Sequence, residues 1–71
     1  MSKFTEMLKQ RYDSIELFSE NLTKVELNGK WGFVDNSGNE VVGPRYDDIF
    51  DFRGGRALVK LNNKTGWLRI L

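Results

Sequence analysis

The groups able to do chemistry are supplied selectively in this sequence. It contains no histidine and no cysteine, which removes the commonest general base, the imidazole and thiolate metal ligands, and disulfides together. The closest carboxylates are Asp47, Asp48 and Asp51. A calcium loop needs oxygen ligands at alternating positions around a turn glycine, and that order is missing. These aspartates are therefore expected to bond backbone, pair with basic residues or face solvent, with Asp47 and Asp51 sharing a face with Ile49. Ser14, Ser19 and Ser37 fall at turns or strand ends with no histidine to activate them. The expectation is a non-enzyme without catalytic, cofactor-binding or metal-ligating residues, and with no cofactor.

Binding chemistry is better represented. Arg56, Lys60 and Arg69 can line one face beside Trp67, and basic residues interleaved with an aromatic suit single-stranded nucleic acid. The alternative is an ordinary charged outer face opposite buried Ala57, Val59 and Leu61, and it is preferred. Trp31 and Trp67 flank Gly32 and Gly66 and are read as structural aromatics packing across a sheet. A lone glycine inside a strand usually marks close approach of backbone or ring. Leu22 and Leu58 are expected at equivalent places on the face that carries Lys24, Glu26, Arg56 and Lys60. The candidate partner-binding residues are thus Leu22, Leu58, Arg56, Lys60, Trp67 and Arg69.

These side chains must be held by a framework, and the spacing of apolar residues predicts one. Phe4, Met7, Leu8 and Arg11 recur at helical intervals, with Ser2 as an N-cap and Glu6 in the first turn. A helix of about ten residues is marginal alone, so its apolar stripe should cover a sheet. Beyond Tyr12 the period becomes strand-like over Ile15 to Phe18, Leu22 to Leu27, Trp31 to Val34, Glu40 to Val42, Tyr46 to Phe52, Arg56 to Leu61 and Gly66 to Leu71. Asn28-Gly29 is the strongest hairpin signal. Asn36-Ser37-Gly38 and Gly43-Pro44 predict further turns, with Pro44 lying between strands.

A shift of thirty-four residues superposes Tyr12 on Tyr46, Asp13 on Asp47, Ile15 on Ile49, Phe18 on Phe52, Val25 on Val59, Asn28 on Asn62 and Gly32 on Gly66. Agreement across aromatic, apolar and turn positions marks an internal repeat. One domain, 1–71, then divides into a helix over 1–11, a first repeat over 12–45 and a second over 46–71.

The run Asn28-Gly29-Lys30-Trp31-Gly32-Phe33-Val34-Asp35, followed by Gly38, Val41, Val42, Pro44, Tyr46, Asp47, Ile49 and Phe52, resembles the WG-containing repeat family. The likeness is read from about Tyr12 onward, without the helix. The second unit departs from the pattern, with Thr65 for the tryptophan, Trp67 for the following aromatic and Arg69 for the aspartate. The resemblance implies a β-rich repeat scaffold, common in bacterial proteins and usually in longer arrays, with no shared catalytic residues and an interaction role.

Composition bounds the remainder. Eleven basic and ten acidic residues give a net charge of +1, so the molecule as a whole is no electrostatic nucleic-acid or membrane binder. From Arg53 onward, however, there are five basic residues and no acid. No apolar run approaches a membrane span and the first residues lack a signal-peptide order, so a cytoplasmic location and no membrane partner are expected. The architecture expected is mainly β: a small twisted antiparallel sheet or partial barrel of six or seven strands with the helix over one face. Two repeats fall short of the roughly three that bury a continuous core. An exposed edge and a partner follow: another protein, a homo-oligomer being one form, for a small inhibitor or adaptor of phage or bacterial type. Nucleic acid bound by the basic C-terminal hairpin ranks second.

Overall fold

The structure, a computed structural model, describes residues 3–19 and 21–70. Helix α1 (Lys3–Arg11) carries Glu6 in its first turn and Lys9 and Arg11 in its last, each on the favourable end of the helix dipole. The Ser2 cap falls outside the described residues. Seven strands follow among the described residues: β1 (Ser14–Ser19), β2 (Leu22–Leu27), β3 (Lys30–Val34), β4 (Glu40–Tyr46), β5 (Asp48–Arg53), β6 (Arg56–Leu61) and β7 (Lys64–Arg69). They pair antiparallel in two sheets, β1-β2-β3-β4 and β5-β6-β7.

Three hairpins share one device. Asn28-Gly29 (φ 54° and 80°), Gly54-Gly55 (58° and 76°) and Asn62-Asn63 (53° and 66°) put two consecutive residues at positive φ, as the two-residue turns matching strand twist demand. The paired Tyr-Asp positions of the repeats support two of these turns. Asp13 accepts from the Asn28 amide and Asp47 from the Asn62 amide, both at 2.9 Å. Their own amides donate to the carbonyls of Glu26 and Lys60, both at 2.8 Å. The repeated aspartate is therefore a hairpin brace.

One turn expected from the sequence is absent. Gly43-Pro44 lies inside β4, which runs on to Tyr46, and the chain turns at Asp47 instead. The register jumps from Phe33↔Val42 to Trp31↔Tyr46, so the extra residues of β4 form a bulge. Pro44 is tolerated because β4 is an edge strand of its sheet.

The four-stranded sheet is covered on both faces. On one, Leu8 and Tyr12 pack with Val25 and Val34, joined by Phe4 and Ile15. Leu8, Val25 and Val34 are fully buried. The helix thus belongs to the fold, as its stripe implies, although Met7 stays 40% exposed. On the other face Phe33 meets Ile49, Ala57 and Val59 of the three-stranded sheet, with Phe18, Leu22, Trp31, Phe52 and Leu68 around them. Phe18, Phe33 and Phe52 form a ring cluster with centroids 5.7 to 6.3 Å apart. The order is helix, sheet, sheet, and no barrel closes among the described residues. Lys24 links the two sheets: its Nζ donates to Asp48 Oδ1 (3.0 Å) and the Ile49 carbonyl (2.6 Å) and lies 4.5 Å from the Trp31 ring centroid.

Tyr12 closes the helix side, its hydroxyl donating to Glu40 Oε2 at 2.6 Å. Burial, the hydrogen bond to Glu40 and the charge of that carboxylate push its pKa up to about 12. A folded pKa above the unfolded value of about 10 means that its contribution is present below pH ~10 and is lost as pH rises through about 12. Alkaline unfolding followed by circular dichroism should therefore show stability falling over this interval, and Tyr12→Phe should flatten that slope. An unchanged slope in the variant would contradict the assignment.

Candidate functional site

The outer face of the three-stranded sheet gathers most of the candidate residues. Strand alternation sends Ala57 and Val59 inward, where they are buried, and Arg56, Leu58 and Lys60 outward. Pairing then aligns cross-strand rows: Arg53↔Arg56↔Arg69, Asp51↔Leu58↔Trp67 and Asp48↔Lys60↔Thr65. Leu58 and Trp67 are direct neighbours, with Trp67 50% exposed and Leu58 half-buried. The Arg53, Arg56 and Arg69 row lies on one side of this apolar pair and the Asp48, Lys60 and Thr65 row on the other.

The charge balance of the face is basic. Asp51 pairs with Arg53 (3.2 Å), but both side chains are well exposed and such a pair is worth at most about 1 kcal/mol. Three arginines in register cost the fold some stability, because like charges directly opposite repel.

Leu22 does not join this group. It packs against the core cluster between the sheets. Its counterpart at a shift of thirty-four is Arg56, and the counterpart of Leu58 is Lys24, so Leu22 and Leu58 are not equivalent and form no common patch. Lys24 is likewise no solvated face residue, being held between the sheets. Leu61 is 39% exposed rather than buried, since it ends β6 at the hairpin.

The two tryptophans also part company. Trp31 is half-buried against the inter-sheet core, as a structural aromatic should be. Trp67 is not in the core. Its repeat counterpart is Phe33, fully buried because the second sheet covers it, whereas no described element covers the outer face of β7. The glycines diverge for a similar reason. A Cβ on Gly32 would stand 2.3 Å from the Val42 carbonyl oxygen and 2.6 Å from the Gly43 carbonyl carbon, whereas one on Gly66 would meet nothing within 4 Å.

The aspartates are separately engaged. Asp47 pairs with Lys30 and braces Asn62, interactions that lower its pKa, the Lys30 bond most of all. Asp48 accepts from Lys24 and from the Ile49 amide, and Asp51 from the Phe52 amide. The shared face expected for Asp47, Ile49 and Asp51 does not form, because Asp47 precedes β5 and a bulge separates Ile49 from Asp51. No group of three potential metal-ligating side chains occurs among the described residues. In the Asp35 turn, amides of Asn39 and Ser37 bond the carboxylate and lower its pKa.

Sequence reasoning missed Arg53 and Phe50 as surface residues of this sheet. The bulge turns Phe50 outward, where it is 50% exposed; the run Ile49-Phe50-Asp51-Phe52, which breaks strict alternation, was the available signal. Leu17 on edge strand β1 is 93% exposed. Two clefts lie elsewhere, where the sheets part: one of about 530 Å³ lined by residues including Leu22, Asp35, Val41, Phe52 and Ile70, and one of about 290 Å³ between β4 and the end of β7. No described helix is long and apolar enough to cross a membrane.

A family model for the WG containing repeat matches residues 3–31 and 31–64. The first match begins within α1, so the likeness extends over the helix that the motif reading left out. Comparison with curated proteins and with solved structures finds no match.

Proposed function

We propose that this chain, which belongs to the WG containing repeat family, is a non-catalytic protein-interaction module, a cytoplasmic adaptor or inhibitor that docks on a larger protein through the outer face of β5–β7. The observation that carries this is the repeat comparison. The face holding Phe33 in the first sheet is covered by a second sheet, whereas no described element covers the equivalent face holding Trp67 and Leu58, which is flanked on one side by the row of Arg53, Arg56 and Arg69. Aromatic and arginine side chains are the groups most enriched at binding hot spots, where one truncation commonly costs about 2 kcal/mol or more. Trp67→Ala and Leu58→Lys should each weaken partner capture by about thirtyfold at a nearly unchanged thermal midpoint. Capture by the tagged domain, with bound proteins identified by mass spectrometry, provides the measurement. Retained binding in both variants would remove this face from consideration.

Nucleic acid is the second reading, favoured by the Arg53↔Arg56↔Arg69 row beside Trp67. Salt separates the two. Single-strand binding should lose affinity with a log–log slope near ~0.7 per phosphate contacted, and a protein interface centred on Trp67 and Leu58 should depend on salt far less.

A further inference from the structure

We infer that the open edge of β7 accepts an added antiparallel strand from a partner protein, an extended acidic segment seated over Gly66. This rests on the protein-interaction reading above and specifies its geometry. Strand β7 is the repeat counterpart of β3, and both pair with the preceding strand through a two-residue turn. On its other side β3 is covered by β4. Among the described residues no strand pairs with the corresponding side of β7, which forms the edge of its sheet.

Gly66 marks the seat. In the first repeat the bulged backbone of β4 crosses Gly32 so closely that no Cβ would fit, whereas the space over Gly66 is empty. A glycine there weakens a strand that nothing else requires it to weaken, and an arriving backbone supplies the reason it has in the first repeat. The cleft of about 290 Å³ between β4 and the end of β7, lined by Val42, Gly43, Tyr46, Leu68 and Ile70 among others, leaves room alongside.

Charge selects the occupant. Lys64 and Arg69 lie on β7, Arg56 and Lys60 on the strand beside it, and no acid follows Asp51. A second copy is disfavoured by charge: two β7 strands paired about a two-fold axis at Gly66 would set Lys64 opposite Leu68, next to Arg69 of the other copy, with no acid on either strand, so only like charges come together. An acidic strand gains main-chain hydrogen bonds from the edge and charge pairing from both sides.

The probe is a synthetic peptide with the β4 sequence, residues 39–48, whose Glu40, Asp47 and Asp48 against Arg45 give net charge −2. Two controls accompany it: one with those three acids replaced by lysine, and one N-methylated at alternate backbone nitrogens. Titrated into the full isotopically labelled chain, the parent peptide should shift and protect amides of Lys64–Arg69. Binding should fall about tenfold or more with either control peptide and with Gly66→Val, whose thermal midpoint should match or exceed that of the unaltered chain. Equal binding of the N-methylated peptide, released by Trp67→Ala, would place the seat on the outer face and overturn strand addition while leaving the interaction reading intact. Self-association abolished by Gly66→Val, without peptide binding, would give the edge to a second copy and overturn the acidic occupant. Displacement of the peptide by a short oligothymidine would overturn both readings, and no binding of any kind would overturn the inference.

Discussion

Gly32→Ala is expected to abolish cooperative unfolding, or to lower stability by about 3 kcal/mol or more, whereas Gly66→Ala leaves it unchanged or slightly higher. The added methyl on Gly32 would stand 2.3 Å from the Val42 carbonyl oxygen, roughly 1 Å inside ordinary contact. The atoms in the way are backbone, so no side chain can rotate aside. Relief requires β4 to move, which sacrifices pairing with β3 at about 1 kcal/mol per hydrogen bond, on top of overpacking strain of about 1–3 kcal/mol. A chain of this length has total stability of only about 4–11 kcal/mol. A Cβ on Gly66 would meet nothing within 4 Å and its φ is not positive, so alanine there removes unfolded-state freedom at no steric cost. Thermal and urea melts of the two variants side by side provide the check. Equal effects would mean that the strands flanking the two glycines are alike in solution.

Phe33→Ala is expected to cost about 3–5 kcal/mol, the usual range for a fully buried aromatic cut to alanine, and to leave a marginal fold. Phe33 has no exposed surface, contacts the rings of Phe18 and Phe52, and sits among residues of both sheets. Its loss opens a cavity at the only layer boundary the two sheets share. Trp67→Ala, at the matching repeat position, should change stability by less than about 1 kcal/mol, because half of that ring is already in water and its truncation leaves no enclosed void. A measured urea midpoint for Trp67→Ala as low as that of Phe33→Ala would mean that the outer face is packed. Trp31→Ala should fall between them, being half-buried and in contact with Lys24.

Much of the scaffold was legible in the residues alone, because it depends on local rules. The bounds of β2 and β6 follow from alternation, the turn at Asn28-Gly29 from the need for positive φ, and the helix from the spacing of Phe4 and Leu8. The repeat itself was visible as matched aromatic, turn and aspartate positions, and family membership follows from the same residues. What the repeated aspartates do, bracing a hairpin fifteen residues away, needed the strands to be paired first.

Tertiary structure decided everything that depends on layers. A periodic pattern marks two faces of a strand but cannot say which face another sheet covers, so equivalent positions such as Phe33 and Trp67, or Gly32 and Gly66, have opposite surroundings. The same holds for Leu22, which enters the inter-sheet core, and for Lys24, which links the sheets. Bulges are the other source of surprise. Extra residues in β4 carry Gly43 and Pro44 through a strand instead of around a turn, and one in β5 turns Phe50 outward. Each bulge shifts the register of all that follows, and the residue left unpaired is fixed only once the partner strand is in place.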